Sequence, residues 1–108
     1  MSAKNGVPEV AEKEFEKLIE KPLVLVDFFA EWCMPCLMMA PIIEEMSEKF
    51  GKIQFAKVNV DDNQRLAQRF NVMSIPTLII FKNGKEAERI TGALPVELIE
   101  EKLGKYAK

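Results

Sequence analysis

A chain of 108 residues, 48% hydrophobic and 30% charged, has the length for one globular domain and enough apolar content to bury a core unaided. Against 17 acidic side chains stand 15 basic ones, scattered along the chain, so there is a net charge of −2 and no basic footprint for binding nucleic acid. Histidine is absent, which excludes Ser/His/Asp and Cys/His catalytic arrangements and removes the commonest metal ligand.

Met1 to Gly6 is polar and lacks the apolar stretch of a secretory signal, so residues 1–6 read as a flexible tail on a single domain. Ala11, Phe15, Leu18 and Ile19 recur at helical spacing, and this first helix should end before Pro22. A short strand over Val7 to Val10 ahead of it is left open by the pattern. Leu23 to Ala30 is apolar on both faces, the mark of a strand covered on both sides, with Asp27 in its middle. It is far short of the roughly 20 residues that span a bilayer, which points to a soluble, cytoplasmic protein. A second helical stripe runs through Cys36, Met39, Ala40, Ile43, Met46 and Phe50, with Pro41 inside it as a kink and Gly51 as a C-terminal cap.

Ile53 to Val60 predicts another strand buried on both sides. Ile53 and Phe55 share one face, Val58 and Val60 the other, and Lys57 is an odd charge among them. Leu66, Ala67 and Phe70 form the face of a short helix, and Thr77 to Phe81 is a third strand. Asn83-Gly84 is a two-residue hairpin turn that returns the chain as an antiparallel strand over Glu86 to Ile90. Pro95, at a first helical position, opens a last helix with Val96, Ile99, Leu103 and Tyr106 toward the core. The order α-β-α-β-α-β-β-α predicts an α/β fold: a mixed sheet, parallel crossovers first and an antiparallel hairpin last, with helices on both faces.

Cys33 and Cys36 lie three residues apart where a central strand gives way to a helix. Positions i and i+3 of a first turn share a face, so the sulfurs can approach bonding distance. Cys33, near the helix N-terminus, meets unpaired backbone N–H groups and the positive end of the helix dipole, which favour a thiolate. Cys36, on the apolar stripe, is expected to be the more buried thiol. Cys33 therefore attacks and Cys36 resolves.

Lowering a thiol pKa from about 8.5 to about 7 raises the thiolate fraction at neutral pH roughly 16-fold, while a Brønsted coefficient near 0.45 removes about fivefold in nucleophilicity. The net gain is only about threefold, so intramolecular resolution by the second cysteine must carry much of the rate. A zinc site is disfavoured, because this chain offers two thiolates and no histidine where four ligands are needed. A structural staple is disfavoured too, since so short a loop returns only about 2 kcal/mol.

The run Val26-Asp27-Phe28-Phe29-Ala30-Glu31-Trp32-Cys33-Met34-Pro35-Cys36, followed by Ser74-Ile75-Pro76-Thr77 and Thr91-Gly92-Ala93, resembles the thioredoxin family over nearly the whole chain. The resemblance implies a thioredoxin fold and reduction of protein disulfides by dithiol-disulfide exchange. It carries over Cys33 as nucleophile, Cys36 as resolving thiol, Trp32 as the flanking aromatic, Asp27 as the buried acid that assists the resolving cysteine, and Lys57 as its neighbour. Burial independently raises the pKa of such an aspartate, unless a hydrogen bond or Lys57 offsets it. Pro76 matches the family's cis-proline, which would let Ile75 offer its backbone to an extended substrate.

The substrate surface expected on this basis comprises Trp32, Met34 and Pro35, then Met73, Ile75 and Pro76, then Gly92 and Ala93. Met34 replaces the usual Gly, Leu37 a common basic residue, and Phe29 a frequent second Trp. Met34, Leu37, Met38 and Met73 could form a soft apolar rim, although Met38 and Met73 could equally belong to the core. Asp61-Asp62 reads as a solvated cap.

No glycine pattern offers a nicotinamide or flavin site, so no cofactor beyond the cysteine pair is expected. Electrons should come from a thioredoxin reductase-type partner, and the protein should act as a monomer on disulfide-containing proteins. The rivals are a glutaredoxin-like or disulfide-forming oxidoreductase, since Met34 bears on the potential, and a non-catalytic binding module of the same fold.

Overall fold

Eight elements follow one another in the expected order: α1 (Glu12–Leu18), β1 (Leu23–Phe29), α2 (Met34–Lys49), β2 (Gln54–Asn59), α3 (Gln64–Arg69), β3 (Thr77–Lys82), β4 (Lys85–Thr91) and α4 (Val96–Gly104). The structure is a computed structural model that describes residues 7–107, so the tail expected over residues 1–6 lies outside the described residues.

The strands form one sheet in the order β2-β1-β3-β4. Alternation along each strand sends side chains to two separate cores. Leu25, Phe55, Leu78 and Ile80 meet Met39, Ile43 and Met46 of α2 and Ile99 and Leu103 of α4. On the opposite face Val24, Val26, Phe28, Val58, Ile79 and Phe81 pack against Phe15 of α1 and Leu66 of α3. Two-sided burial explains why β1 and β3 read as continuous apolar runs.

The sheet is mixed, as expected, but its parallel part is a single pair. β1 and β2 are parallel, with Asp27 opposite Lys57, whereas β3 is antiparallel to both β1 and β4. Helix length accounts for this. The 16 residues of α2 span about 24 Å and return the chain past β1, whose seven residues span about 23 Å. The six residues of α3 cover only about 9 Å, so the chain enters β3 at the end where β2 left off. Thr77 consequently faces Phe28 of β1 and Thr91 of β4. One end of the sheet thus collects the segments that follow β1, β2 and β4 and the one that precedes β3.

Several local expectations shift. Val7 to Val10 makes one parallel bridge to β2: Val10 N–H donates to the Lys57 carbonyl at 2.9 Å and Lys57 N–H to the Pro8 carbonyl at 2.9 Å. Pro95 is the N-cap of α4, one position before its first helical residue. Its extended ψ of 147° leaves its carbonyl to accept from Leu98 and Ile99. α2 ends on Phe50 rather than through a left-handed Gly51, because Phe50 packs into the α2/α4 core and its N–H bonds the Met46 carbonyl at 2.8 Å. The Asn83-Gly84 turn has φ of 54° and 85°, the pair that matches strand twist. β4 carries an irregularity where Ile80 faces Glu88 but Phe81 faces Glu86, leaving Ala87 as the extra residue.

Candidate redox site

β1 ends at Phe29, and a tight turn delivers Cys33 as the N-cap of α2. Its backbone is extended (φ −88°, ψ 107°), and its Sγ accepts a hydrogen bond from Cys36 N–H at 3.2 Å. A sulfur thus occupies the place usually filled by a Ser, Thr or Asp oxygen. Pro35 stands within the first turn, where a missing N–H costs nothing. Cys33 and Cys36 are joined as a disulfide with Cα atoms 5.2 Å apart. When the bond opens, a thiolate at position 33 meets both the helix dipole and that N–H, which stabilise the anion.

The expected difference in burial is not present: Cys33 is 4% exposed and Cys36 6%. Ala30, Phe29, Val60 and Ile75 enclose the pair together, so both residues lie in one small apolar cluster. The asymmetry is one of access. Cys33 lines an open groove of about 650 Å³, and Cys36 is not on its wall.

Trp32, Met34 and Pro35 form one side of that groove. Val60 and Asp61 after β2, Gln64, Ala67 and Gln68 of α3, and Val72 to Ile75 ahead of β3 line the rest of it. Trp32 is 70% exposed and is held by its indole N–H, which donates to Asp61 Oδ2 at 2.8 Å. Asp61 is itself fixed, because its N–H and that of Asp62 both donate to Asn59 Oδ1. Sequence reading takes Asp61 for a solvated cap. Its partner is 29 positions away, so only the β2-β1 neighbourhood brings the two together.

Met34 and Met73 line the groove, and neither Met38 nor Met73 belongs to the core: Met34 is 63%, Met38 69% and Met73 90% exposed. Leu37 and Met38 point to solvent outside the groove, so the apolar rim beside Cys33 consists of Met34 and Met73. The Ile75–Pro76 bond is cis and Pro76 is buried. Thr77 Oγ1 donates to the Ser74 carbonyl at 2.6 Å, and Gly92 N–H donates to the Pro76 carbonyl at 2.8 Å. Pro76, Gly92 and Ala93 are not among the residues lining the groove, and the Gly92 hydrogen bond supports the loop that presents Ile75.

Asp27 lies on the α2 side of the sheet and is buried, with no hydrogen-bond partner for Oδ1. Burial pushes its pKa up to about 7, and the positive charge of Lys57 opposes part of that rise. The Lys57 ammonium also sits 5.4 Å from the centre of the Phe29 ring. Asp27 and Lys57 share a small cavity of about 20 Å³ with Val7, Ala40, Ile43 and Glu44. Ala40 lies one helical turn beyond Cys36 on α2. Among the described residues no group of three or more His, Cys, Asp or Glu side chains could hold a metal ion, and no helix is long and apolar enough to cross a membrane.

The sequence profile of the family described as Thioredoxin matches residues 6–105. A thioredoxin from Staphylococcus epidermidis is 42% identical over 102 residues, covering 94% of this chain and 98% of its own. One from Chlamydia pneumoniae is 41% identical over 98 residues, covering 91% and 96%. A solved thioredoxin structure from Plasmodium falciparum superimposes with a TM-score of 0.89 at 39% identity, covering 94% of this chain and all of that one. With a Cys-x-x-Cys pair at the head of α2, and with sequence and fold matched over more than nine-tenths of its length, the chain belongs to the thioredoxin family of thiol-disulfide oxidoreductases, which reduce protein disulfides.

Proposed function

We propose that Cys33 is the attacking thiolate and Cys36 the resolving thiol in the reduction of protein disulfides bound along the groove. The observation that supports this assignment is that Cys33 lines the groove as the N-cap of α2, whereas Cys36, one helical turn further along, is not on its wall. Cys33 attacks one substrate sulfur and displaces the other as a thiolate, forming a mixed disulfide. Cys36 then attacks Cys33 Sγ and releases the second substrate sulfur. Two electrons pass to the substrate, and the Cys33–Cys36 disulfide remains.

Asp27 accepts the proton that Cys36 loses, a task suited to a carboxyl whose pKa of about 7 is close to working pH. Lys57 positions and tunes that carboxyl. Trp32, Met34, Pro35, Met73 and Ile75 hold the substrate, and Pro76, Gly92 and Ala93 shape the loop behind Ile75. The Ile75 backbone offers an extended substrate a strand-like partner beside Cys33.

The cycle needs no cofactor beyond the cysteine pair. A thioredoxin reductase-type protein returns the electrons, and the protein works as a cytoplasmic monomer. The role assignment is tested by substitution. Cys36→Ser should accumulate covalent mixed disulfides with substrate proteins on non-reducing gels, and Cys33→Ser should not. Equal trapping by both variants would overturn it.

A further inference from the structure

Three of the methionines are exposed to solvent while two others are sealed in the core. Met34, Met38 and Met73 are 63%, 69% and 90% exposed, against 3% for Met39 and 1% for Met46. Only Met34 and Met73 share the groove with Cys33. Both line the groove where a substrate disulfide must meet Cys33, Met34 at the first helical position after Cys33 and Met73 on the loop before Ile75. In the disulfide state neither cysteine carries a thiol, so a hydroperoxide meeting this surface finds thioethers as its accessible sulfur nucleophiles.

We propose that Met34 and Met73 are a modification site at which a hydroperoxide converts the groove rim to methionine sulfoxide and thereby weakens substrate binding. The reading rests on the groove being the substrate site. In the step, the thioether sulfur takes one oxygen atom from hydrogen peroxide. The O–O bond breaks, an S–O bond forms, the sulfur is oxidised by two electrons, and the peroxide leaves as water. A flexible apolar side chain becomes a strong hydrogen-bond acceptor that a bound apolar peptide leaves unsatisfied. Cys33 and Cys36 emerge unchanged, so the chemical step persists while affinity falls. The modification is reversible by methionine sulfoxide reductases.

The test treats the disulfide form of the full chain with hydrogen peroxide, removes the peroxide with catalase, locates added oxygen by peptide mass mapping, and then measures insulin disulfide reduction with dithiothreitol as the electron donor. Oxygen should appear on Met34, Met38 and Met73 and not on Met39 or Met46, and KM should rise roughly tenfold with kcat within about twofold. Met34→Leu/Met73→Leu should show no peroxide-dependent change relative to its own untreated KM. Met38→Leu should respond as the parent chain does, since Met38 lies outside the groove. Sulfoxide at Met34 and Met73 with an unchanged KM would overturn the proposal, as would an equal rise in the double-leucine variant. Failure of the untreated protein to reduce insulin would instead overturn the substrate-groove reading, and the proposal with it.

Discussion

Asp27 is a carboxyl that the fold prefers to keep protonated. Its pKa is raised to about 7 by burial, with Lys57 lowering it in part. Because the folded value lies above the unfolded one, the group contributes stability that is fully present below about pH 4 and is lost as pH rises toward 7. Unfolding in urea should therefore show stability falling from pH 4 to pH 7 and levelling above it. Asp27→Asn should abolish this slope and raise stability at pH 8 by on the order of 4 kcal/mol. The catalytic consequence has the opposite sign. Single-turnover resolution of a mixed disulfide should accelerate through about pH 7 in the parent chain and lose that inflection in Asp27→Asn. Lys57→Met, which removes the charge that lowers the Asp27 pKa, should move the inflection to higher pH. An inflection unmoved in Lys57→Met would show that the ammonium does not tune the carboxyl.

At the level of elements, Gly92 connects β4 to the site. Its φ of 84° lies in the left-handed region, and its N–H holds the Pro76 carbonyl at 2.8 Å. A Cβ at this position would meet nothing within 4 Å, so Gly92→Ala carries a conformational cost without a steric one. That cost is about 1–2 kcal/mol. Urea unfolding should register it, and insulin reduction should slow as the loop before β3 loses its support.

Elements set by local pattern were legible in the sequence: the two-sided apolar run of β1, the Asn83-Gly84 turn, and the cysteine pair at a strand-to-helix junction. The direction of β3 was not, because it depends on how far a six-residue helix can carry the chain rather than on any residue within the strand. Trp32 and Asp61 were equally hidden from each other, since their hydrogen bond exists only once β2 lies beside β1. The equal burial of Cys33 and Cys36 depends on Val60 and Ile75, which come from two other segments.

Across the whole molecule the disulfide does two things, storing oxidising equivalents and tying a short loop. In the chain-entropy treatment a loop of about four residues contributes only about 2 kcal/mol. The disulfide form should therefore unfold at higher urea than Cys33→Ser/Cys36→Ser, by a difference near that figure, since serine at position 33 keeps an N-cap acceptor. A much larger gap would mean that the bond also organises the surrounding loops.

A reductase of protein disulfides meets partly unfolded chains in search of a strand to pair with, and the margins of this sheet offer them little. The outer side of β2 is engaged by Pro8 and Val10 through Lys57. β4 presents Lys85, Glu86, Glu88 and Arg89 and is buckled at Ala87. Charge and a bulge on an edge strand discourage sheet extension. The sheet edges thereby offer a client little to pair with, and the groove beside Cys33 can engage it without the sheet acting as a template for aggregation.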